Sequence, residues 1–460
     1  MIKRREFLKW SAVASSGLLL SSCRMSPDRS VRARPNIIFI LADDLGYGDL
    51  GCYGQQQIKT PCIDKMAAEG MRFTQHYAGS TICAPSRCSL MTGLHTGHAA
   101  IKNNAGTPLG PDDKTVLEIV KECGYTTGVI GKWGLGDDGT TGMPLEKGAD
   151  YFYGYLCQVH AWNYYPEWLW ENDQKVYLDN VVQPSSEIIP DAPGGYAVKR
   201  VQYSHDLLTE EALNFVRSNH HHPFFLYLAY TIPHANSASV VFGKHGMEVP
   251  DYGIYKNRDW PIAQKGLAAM ISRMDSDVGQ ILKWLKQLGI DEQTIVLFSS
   301  DNGPHHAGYN DPEFFNSSGP FRGAKRDLYE GGIRVPLIVR WPGNIKAGST
   351  SDHISAFWDF LPTVCDAVGK DIPAQIDGIS FLPELLGKAQ RSHDFLYWEF
   401  DERGGHTAVR KGKWKYIKSP DSQVELYDLE TDPGESNNVS ASNRSRVAAI
   451  EEMVLHVQKK

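Results

Sequence analysis

Short strand-like runs recur along this chain, and the clearest of them is apolar without a break from Ile37 to Ala42. Such a run is typical of a strand that is buried on both faces of a sheet. The runs lie at 36–42, 126–130, 224–229, 294–299 and 335–340. Between 267 and 288 the apolar residues recur at helical spacing up to Gly289, which predicts an amphipathic helix. Strands that alternate with helices predict an α/β fold, in which helices sandwich a large, mostly parallel sheet.

The pattern changes after residue 390. Four short strand-like segments are separated by turn residues, and a helical pattern follows at 445–458. The segments are 395–400, 407–410, 414–417 and 424–428. This arrangement predicts a small C-terminal antiparallel sheet with a closing helix. We therefore predict a large domain at 35–390 and a C-terminal subdomain at 391–460.

The first residues have the features of an export signal. A basic stretch, Lys3-Arg4-Arg5, resembles a twin-arginine motif and precedes an apolar run too short to span a bilayer. The run ends in Ser-Ser-Cys23, which resembles a lipoprotein processing site. We predict a signal peptide at 1–22, a linker at 23–34, and an exported bacterial protein that is periplasmic or anchored by lipid at Cys23. The alternatives are a plain cleaved signal or a cytosolic protein with a basic start.

Composition narrows the possible partners. The 460 residues carry a formal net charge of -7, which argues against a nucleic-acid surface. The eight cysteines show no Cys-x-x-Cys zinc spacing. Apart from Cys23 and Cys83, we expect buried free thiols, with a Cys52–Cys62 disulfide as the alternative.

Polar side chains follow several of the predicted strands at the carboxyl end. In parallel sheets these ends share one edge, beyond which ligands bind. The residues at this edge are Asp43, Asp44, Lys132, His234, Asp301 and Asn302. Four of these residues offer oxygen ligands and no thiolate or imidazole: Asp43, Asp44, Asp301 and Asn302. Such a set suits a hard cation, Ca2+ or Mg2+.

Residues 83–87, Cys-Ala-Pro-Ser-Arg, followed by Leu-Met-Thr-Gly at 90–93, resemble the signature of type I sulfatases. In that family a maturing enzyme oxidises the cysteine to formylglycine. Five separated blocks of this chain match the family in order, over nearly the whole mature length. The resemblance implies an alkaline-phosphatase-like fold and a sulfatase catalytic domain at 35–390. Pro85 suits the first turn of a helix, so residue 83 is expected at a helix N-terminus that faces an anion.

The resemblance also implies a role for each matching residue. One hydroxyl of the hydrated formylglycine at Cys83 attacks sulfur, and the other then expels sulfate, which regenerates the aldehyde. Lys132 and Lys325 bind the sulfate, and His234 protonates the leaving alcohol. Arg87 lies one helical turn from residue 83 on the same face. The metal ligands are Asp43, Asp44, Asp301 and Asn302, and the family's ion is usually Ca2+.

One position departs from the family. The family commonly has histidine two residues after the lysine, whereas this chain reads Gly-Lys-Trp-Gly-Leu-Gly at 131–136, with glycine at Gly134. We take Gly134 to mark a subgroup in which another residue fills that space, with His160, His305 and His306 as candidates. The alternative is an impaired enzyme.

The segment from 137 to 204 is long and rich in aromatic residues. It is expected either to form a wall that stacks on sugar rings or to pack as a structural core. His160 and Asn163, within it, and His305 are the expected substrate-binding residues.

These observations predict an exported formylglycine sulfatase that hydrolyses a sulfate monoester, on a sulfated sugar or an aryl sulfate. Its expected partners are that substrate and a formylglycine-generating maturase. Two alternatives remain open. One is a formylglycine-dependent phosphonate or phosphate ester hydrolase, and the other is a non-catalytic glycan-binding lipoprotein of sulfatase descent.

Overall fold

A ten-stranded mixed sheet runs through the computed structural model, which describes residues 34–185 and 194–458. In chain order, the strands of the described residues are β1 (Asn36–Ala42), β2 (Met71–Phe73), β3 (His76–Tyr77), β4 (Thr126–Lys132), β5 (Tyr151–Tyr155), β6 (Trp168–Glu171), β7 (Gln174–Tyr177), β8 (Val181–Pro184), β9 (Gly195–Lys199), β10 (Phe224–Ala229), β11 (Thr294–Ser300), β12 (Leu337–Arg340), β13 (Ser349–Ser351), β14 (Ser355–Ala356), β15 (Leu396–Phe400), β16 (His406–Lys411), β17 (Trp414–Lys418) and β18 (Val424–Asp428). The α-helices are α1 (Pro61–Glu69), α2 (Cys83–Thr92), α3 (Val116–Glu122), α4 (Ser204–Asn219), α5 (Ile262–Gln287), α6 (Glu330–Ile333), α7 (Phe360–Val368), α8 (Leu382–Leu385) and α9 (Arg444–Val457).

The sheet is parallel at its centre and has antiparallel pairs on both sides, while its edge strand β13 pairs in parallel with β2. Its order is β13-β2-β12-β11-β1-β10-β4-β5-β6-β7. From β11 to β5 all neighbours are parallel, and Ile38 on β1 pairs with Val296 on one side and Leu226 on the other. Strands β12 and β6 join this centre in the antiparallel sense. The carboxyl ends of β11, β1, β10 and β4 therefore lie side by side.

Both faces of the central strands are buried, which explains why most of their residues are apolar or small. Successive side chains of a strand point to opposite faces. On β1, Ile37, Phe39 and Leu41 accordingly join a core with residues of α2, α3 and α7. Ile38 and Ile40 join a second core, with residues of α1, α4 and α5, on the other face. The predicted α/β sandwich is thus confirmed.

The small C-terminal sheet has the order β15-β16-β17-β18, with every neighbouring pair antiparallel. Helix α9 covers one of its faces through Ile450, Val454 and Val457. The sheet and closing helix match the prediction. The chain from Arg34 onward forms one compact unit, and the domain boundary at residues 390/391 stays a prediction.

Buried charges connect the C-terminal sheet to the rest of the protein. Glu330, at the start of α6, is fully buried and accepts hydrogen bonds from Lys415 Nζ at 2.9 Å and Tyr77 Oη at 2.6 Å. Lys415, on β17, is equally buried and also lies 3.4 Å from Glu435. Burial raises the pKa of Glu435 to about 7, and the nearby Glu330 adds to that shift. Glu330 is therefore the main charge partner of Lys415.

Replacing Glu330 with alanine is expected to destabilise the protein by about 3 kcal/mol or more, because it leaves the Lys415 ammonium buried without its closest counter-charge. Urea denaturation, followed by circular dichroism, measures this loss. Lys65→Ala is the control, because it removes an exposed pair with Glu69 and is expected to change stability by less than about 0.5 kcal/mol. Equal midpoints for the two variants would contradict this role of Glu330.

Some elements differ from the sequence-based expectations. The strand predicted at 335–340 is β12, which begins at Leu337. It pairs with β11 in the antiparallel sense, whereas the sequence predicted a mostly parallel sheet. The segment from 137 to 204 contributes strands β5 to β9. The predicted signal peptide at 1–22 and Cys23 lie outside the described residues. Among the described helices, none has the length and apolar character needed to cross a membrane.

Candidate active site

Helix α2 places Cys83 at its N-terminus, deep in the protein. The helix begins at Cys83, Pro85 lies in its first turn, and all ten of its residues are buried. Pro85 has no N–H to leave unsatisfied there. The backbone N–H of Ala84 donates to Asn104 Oδ1 at 3.0 Å. Cys83 Sγ lies 3.4 Å from both Asp43 Oδ1 and Lys325 Nζ. Burial raises the pKa of the Cys83 thiol well above its usual value, so the unmodified side chain is a neutral thiol.

Arg87 follows one helical turn after Cys83 and is fully buried. Its Nε and Nη2 donate to Asp301 Oδ2 at 3.0 and 2.7 Å, and Nη1 donates to the carbonyl of Lys132 at 2.7 Å. A buried guanidinium is tolerated only with such partners. Arg87 thus connects α2 to the ends of β11 and β4.

Three carboxylates and one amide meet beyond the adjacent strands β1 and β11. Asp44 adopts a left-handed conformation with φ 65°, so the chain turns just after β1. The Asp44 N–H donates to Asp301 Oδ1 at 3.0 Å, and Asn302 Nδ2 donates to Asp44 Oδ1 at 2.7 Å. With Asp43, all four side chains are buried. The fold therefore brings these four residues together at one edge of the sheet, as the sequence predicted.

This group of residues fits a hard cation. Asn302 Oδ1 is buried and has no hydrogen-bond partner among the described residues, although a buried carbonyl oxygen normally has one. Burial and the neighbouring Asp43 raise the pKa of Asp301 to about 6, although Arg87 opposes the shift. An additional cation would satisfy the free oxygen and relieve the repulsion between the carboxylates. The donors are oxygen atoms, as Ca2+ and Mg2+ require.

Two lysines pair with the first two carboxylates. Lys132 Nζ lies 2.6 Å from Asp43 Oδ2, and Lys325 Nζ lies 2.7 Å from Asp44 Oδ1. Burial alone would raise the pKa of the Asp44 carboxyl, but Lys325 and His234 lower it to about 2. Burial would likewise raise the pKa of the Asp43 carboxyl, but Lys132 holds it well below its usual value. Both carboxyls are therefore ionised at neutral pH.

His234 and His305 form the opposite side of the site. His234 Nδ1 lies 2.6 Å from the carbonyl of Ala235, which places the Nδ1 proton there and leaves Nε2 facing Asp44 Oδ2 at 3.5 Å. Burial lowers the pKa of His234 to about 3, although Asp44 acts in the other direction. The His305 ring stacks on His234 with centroids 5.6 Å apart, and the Trp162 ring lies 6.3 Å away on a nearly parallel plane.

A cavity of about 480 Å³ opens above Cys83. Sugar- and drug-sized ligands occupy cavities of this size. His234, His305 and Lys325 line it, as do side chains from the surrounding loops. The loop residues are Asn104, Gln158, Val159, Trp162, Ser237, His306, Ala307, Arg326 and Glu402. Of these, the sequence pointed only to Trp162, as part of the aromatic segment, and to His306. The remaining lining residues were not singled out, although Ala307 and Arg326 directly follow His306 and Lys325 in the sequence.

His160 and Asn163 do not line this cavity, contrary to expectation. They border a separate cavity of about 120 Å³, next to Trp168. The His160 ring packs between Tyr155 and Trp168, and Asn163 Oδ1 accepts the Tyr165 N–H at 2.9 Å. The aromatic residues of the segment therefore form mostly a structural core, and Trp162 is the aromatic residue that it contributes to the cavity.

The space at Gly134 is filled by Gln158 rather than by any of the three histidines proposed for it. A Cβ atom built on Gly134 would lie 2.1 Å from Gln158 Nε2. Of the three histidines, His305 and His306 line the cavity above Cys83, as Gln158 does, whereas His160 does not. The seven described cysteines are free thiols, so Cys52 and Cys62 form no disulfide.

Comparisons with known proteins found related sequences and structures. A family model described as Sulfatase matches residues 35–370, and one described as N-sulphoglucosamine sulphohydrolase, C-terminal, matches residues 321–460. The chain is 29% identical to an N-acetylgalactosamine-6-O-sulfatase of Bacteroides thetaiotaomicron, over 92% of this chain and 93% of that protein. It is 32% identical to Arylsulfatase A of Homo sapiens, over 89% of this chain and 84% of that protein.

A solved structure, Ps i-CgsB in complex with k-i-k-neocarrahexaose, superposes with a TM-score of 0.76 at 29% identity, covering 92% of this chain and 93% of that one. The fold and the matched residues define an enzyme of the alkaline-phosphatase superfamily. Within it, the chain belongs to the sulfatase family and is a sulfuric ester hydrolase.

Proposed function

We propose that this enzyme hydrolyses a sulfate monoester of a sugar through a formylglycine made from Cys83, with a divalent cation bound beside it. The observation that supports this most strongly is the position of Cys83. It begins a buried helix, opens onto a cavity, and lies 3.4 Å from both a carboxylate and an ammonium group. The formylglycine hydrate would supply the hydroxyl that attacks sulfur and the second hydroxyl that expels sulfate.

Cations around Cys83 suit the ester's negative charge. Lys132, Lys325 and Arg87 lie within the same cluster, and their charges are held in place by buried partners. Because these groups are already in place, they need not move while negative charge develops on the leaving oxygen during the reaction. The N-terminus of α2 adds a favourable dipole. We therefore assign sulfate binding to the two lysines, with Arg87 as the residue that positions the carboxylates.

The residues that would hold the ion are Asp43, Asp44, Asp301 and Asn302. Their oxygen donors, and the unpartnered Asn302 Oδ1, suit Ca2+, with Mg2+ as the alternative. When bound, the ion would act as a Lewis acid on the sulfate oxygens.

His234 is the residue that we assign to the leaving alcohol. Its Nδ1 is held by the Ala235 carbonyl, so its Nε2 is the atom available to exchange a proton in the cavity. An anionic ester beside the ring favours the protonated imidazole and opposes the effect of burial. The proton would then pass from Nε2 to the alcohol oxygen as the sulfur–oxygen bond breaks.

A sulfated sugar is the substrate class that we propose. The bacterial relative is named for a sulfated N-acetylgalactosamine, and the superposed structure holds a neocarrahexaose. The cavity contains an aromatic ring, Trp162, and polar side chains, which together suit the two kinds of surface on a sugar. Export to the periplasm, either free or anchored by lipid at Cys23, would place the enzyme where sulfated polysaccharides occur.

Labelling of Cys23 by a fatty acid tests the lipid anchor.

The direct test of function is sulfate release from protein produced together with a formylglycine-generating maturase. The substrates are 4-methylumbelliferyl sulfate and a panel of sulfated monosaccharides, with a phenyl phosphonate ester for comparison. Turnover of a sulfated sugar supports the proposal. Much faster turnover of the phosphonate ester would favour a phosphonate hydrolase. Glycan binding with no sulfate release would identify a binding protein.

Removal of the ion by EDTA is expected to lower both sulfate release and the thermal midpoint. At an ion concentration 100-fold above its Kd, a bound ion contributes about 2.7 kcal/mol of stability, which chelation would remove. Differential scanning calorimetry measures the loss, and added Ca2+ or Mg2+ should restore it, with Ca2+ the more effective. An unchanged midpoint and unchanged activity in EDTA would refute the metal site.

A further inference from the structure

The Gln158 side chain occupies the space that a side chain at position 134 would need. The Gly134 N–H donates to the carbonyl of Leu156 at 3.0 Å, and φ of Gly134 is +73°, a conformation that L residues rarely adopt. A Cβ atom there would lie 2.1 Å from Nε2 and 2.9 Å from Cδ of Gln158. Glycine at 134 and glutamine at 158 are therefore complementary in shape, since the glycine provides the space that the glutamine amide fills.

Gln158 lies in the turn between β5 and the short 3-10 helix His160–Trp162, and its side chain lines the cavity above Cys83. Its one hydrogen bond within the described part of the chain is long, 3.5 Å from Nε2 to the carbonyl of Gly134. A carboxamide has two N–H donors and a carbonyl acceptor. Most of the hydrogen-bonding capacity of Gln158 is therefore unused by the protein.

We propose that Gln158 is a specificity-determining residue, whose carboxamide hydrogen-bonds to the uncharged polar groups, hydroxyl or N-acetyl, of the sugar that carries the sulfate. This proposal rests on the proposed function, because it describes how that site selects its substrate. A neutral amide both donates and accepts hydrogen bonds, which suits a sugar hydroxyl. It also adds no charge beside the anionic ester.

Trp162 and His234 line the same cavity as Gln158, and their ring centroids lie 6.3 Å apart, so a sugar that fills the cavity can contact the amide, the aromatic ring and the proton donor. Discrimination through hydrogen bonds is strong when a site leaves its polar groups unpaired with the wrong substrate. An aryl sulfate has no ring hydroxyl to offer Gln158. Comparing the two substrate types therefore isolates the contribution of the amide.

The test uses matured, metal-loaded enzyme and its Gln158→Ala variant. The probes are 4-methylumbelliferyl sulfate and whichever sulfated monosaccharide the unaltered enzyme cleaves best, chosen from N-acetylgalactosamine 6-sulfate, galactose 6-sulfate and glucosamine 6-sulfate. We expect the ratio of kcat/KM for the sugar to kcat/KM for the aryl sulfate to fall by about 10-fold or more, mainly through KM for the sugar. Gln174→Ala, on the outermost strand β7, is the control.

A second variant tests the pairing with Gly134. Gly134→Ala would push the amide aside, so it is expected to lower the same ratio, and adding it to Gln158→Ala should lower the ratio no further. Equal losses on both substrates would show a structural role and overturn the proposal, as would an unchanged ratio. If the unaltered enzyme cleaves the aryl sulfate and no sugar, the assignment to a sugar is wrong. If it cleaves neither, the proposed function itself fails.

Discussion

Cys83→Ala is expected to abolish sulfate release, with a loss of about 10⁴-fold or more, because it removes the residue from which the nucleophile is made. The fold should survive. Cys83 contributes a small side chain to a helix whose remaining nine residues stay buried, so the cost in stability should be about 1 kcal/mol. Sulfate release and the thermal midpoint, measured on the same preparation, separate loss of chemistry from loss of fold.

Cys88→Ala is the matched control, because Cys88 lies in the same helix and packs into the core. It should lose a similar amount of stability and keep most of the activity. Mass spectrometry of the peptide that contains Cys83 completes the experiment. Maturation should lower the mass of that peptide by about 18 Da, the difference between a thiol and an aldehyde side chain. Full activity in an enzyme whose Cys83 remains a thiol would refute the mechanism.

Asp301→Ala is expected to remove both metal binding and activity, and to destabilise the protein by about 3 to 5 kcal/mol. Asp301 accepts two hydrogen bonds from Arg87, which is fully buried, and one from the Asp44 backbone. Its loss leaves a buried guanidinium without its main partner, and this is strongly destabilising. Isothermal titration with Ca2+ measures the loss of affinity independently of catalysis.

Asp301→Asn separates the two effects. Asparagine keeps an oxygen that can accept from Arg87, so stability should fall less than in the alanine variant. It lacks the negative charge, so Ca2+ affinity should still fall markedly. If the asparagine variant bound Ca2+ as tightly as the unaltered protein, Asp301 would not be a metal ligand, and its role would be confined to holding Arg87.

Much of the fold was predictable because its central strands are buried on both faces. Residues 37–42 and 295–298 are continuously apolar, and their short length and β-branched residues favour buried strands over buried helices. The strands of the segment after β5 were harder to predict. Strands β6 and β7 extend the main sheet and β8 and β9 form a separate pair. All four are short, and the aromatic residues of this segment fit a core or a binding wall equally well, so only the tertiary packing decides between the two.

The site residues also fall into a predictable group and a group that the sequence does not mark. Residues just after the central strands, such as Asp43 and Asp301, converge because the strands are parallel neighbours, which sequence order and pattern indicate. The substrate side of the cavity is built from loops. Asn104, Gln158 and Glu402 meet there only because of long-range packing, and nothing in their local sequence marks them. His160 was misplaced for the same reason, since its neighbours in space are aromatic core residues.

Each carboxylate of the site has its own cation: Asp43 has Lys132, Asp44 has Lys325 and Asp301 has Arg87. The cluster is therefore close to electroneutral, and the protein can fold before any ion arrives. A divalent ion would then give the site an excess of positive charge, and ion and ester would each strengthen the binding of the other. Free sulfate carries one more negative charge than its ester. The charge balance that draws the substrate in would also slow the departure of the product.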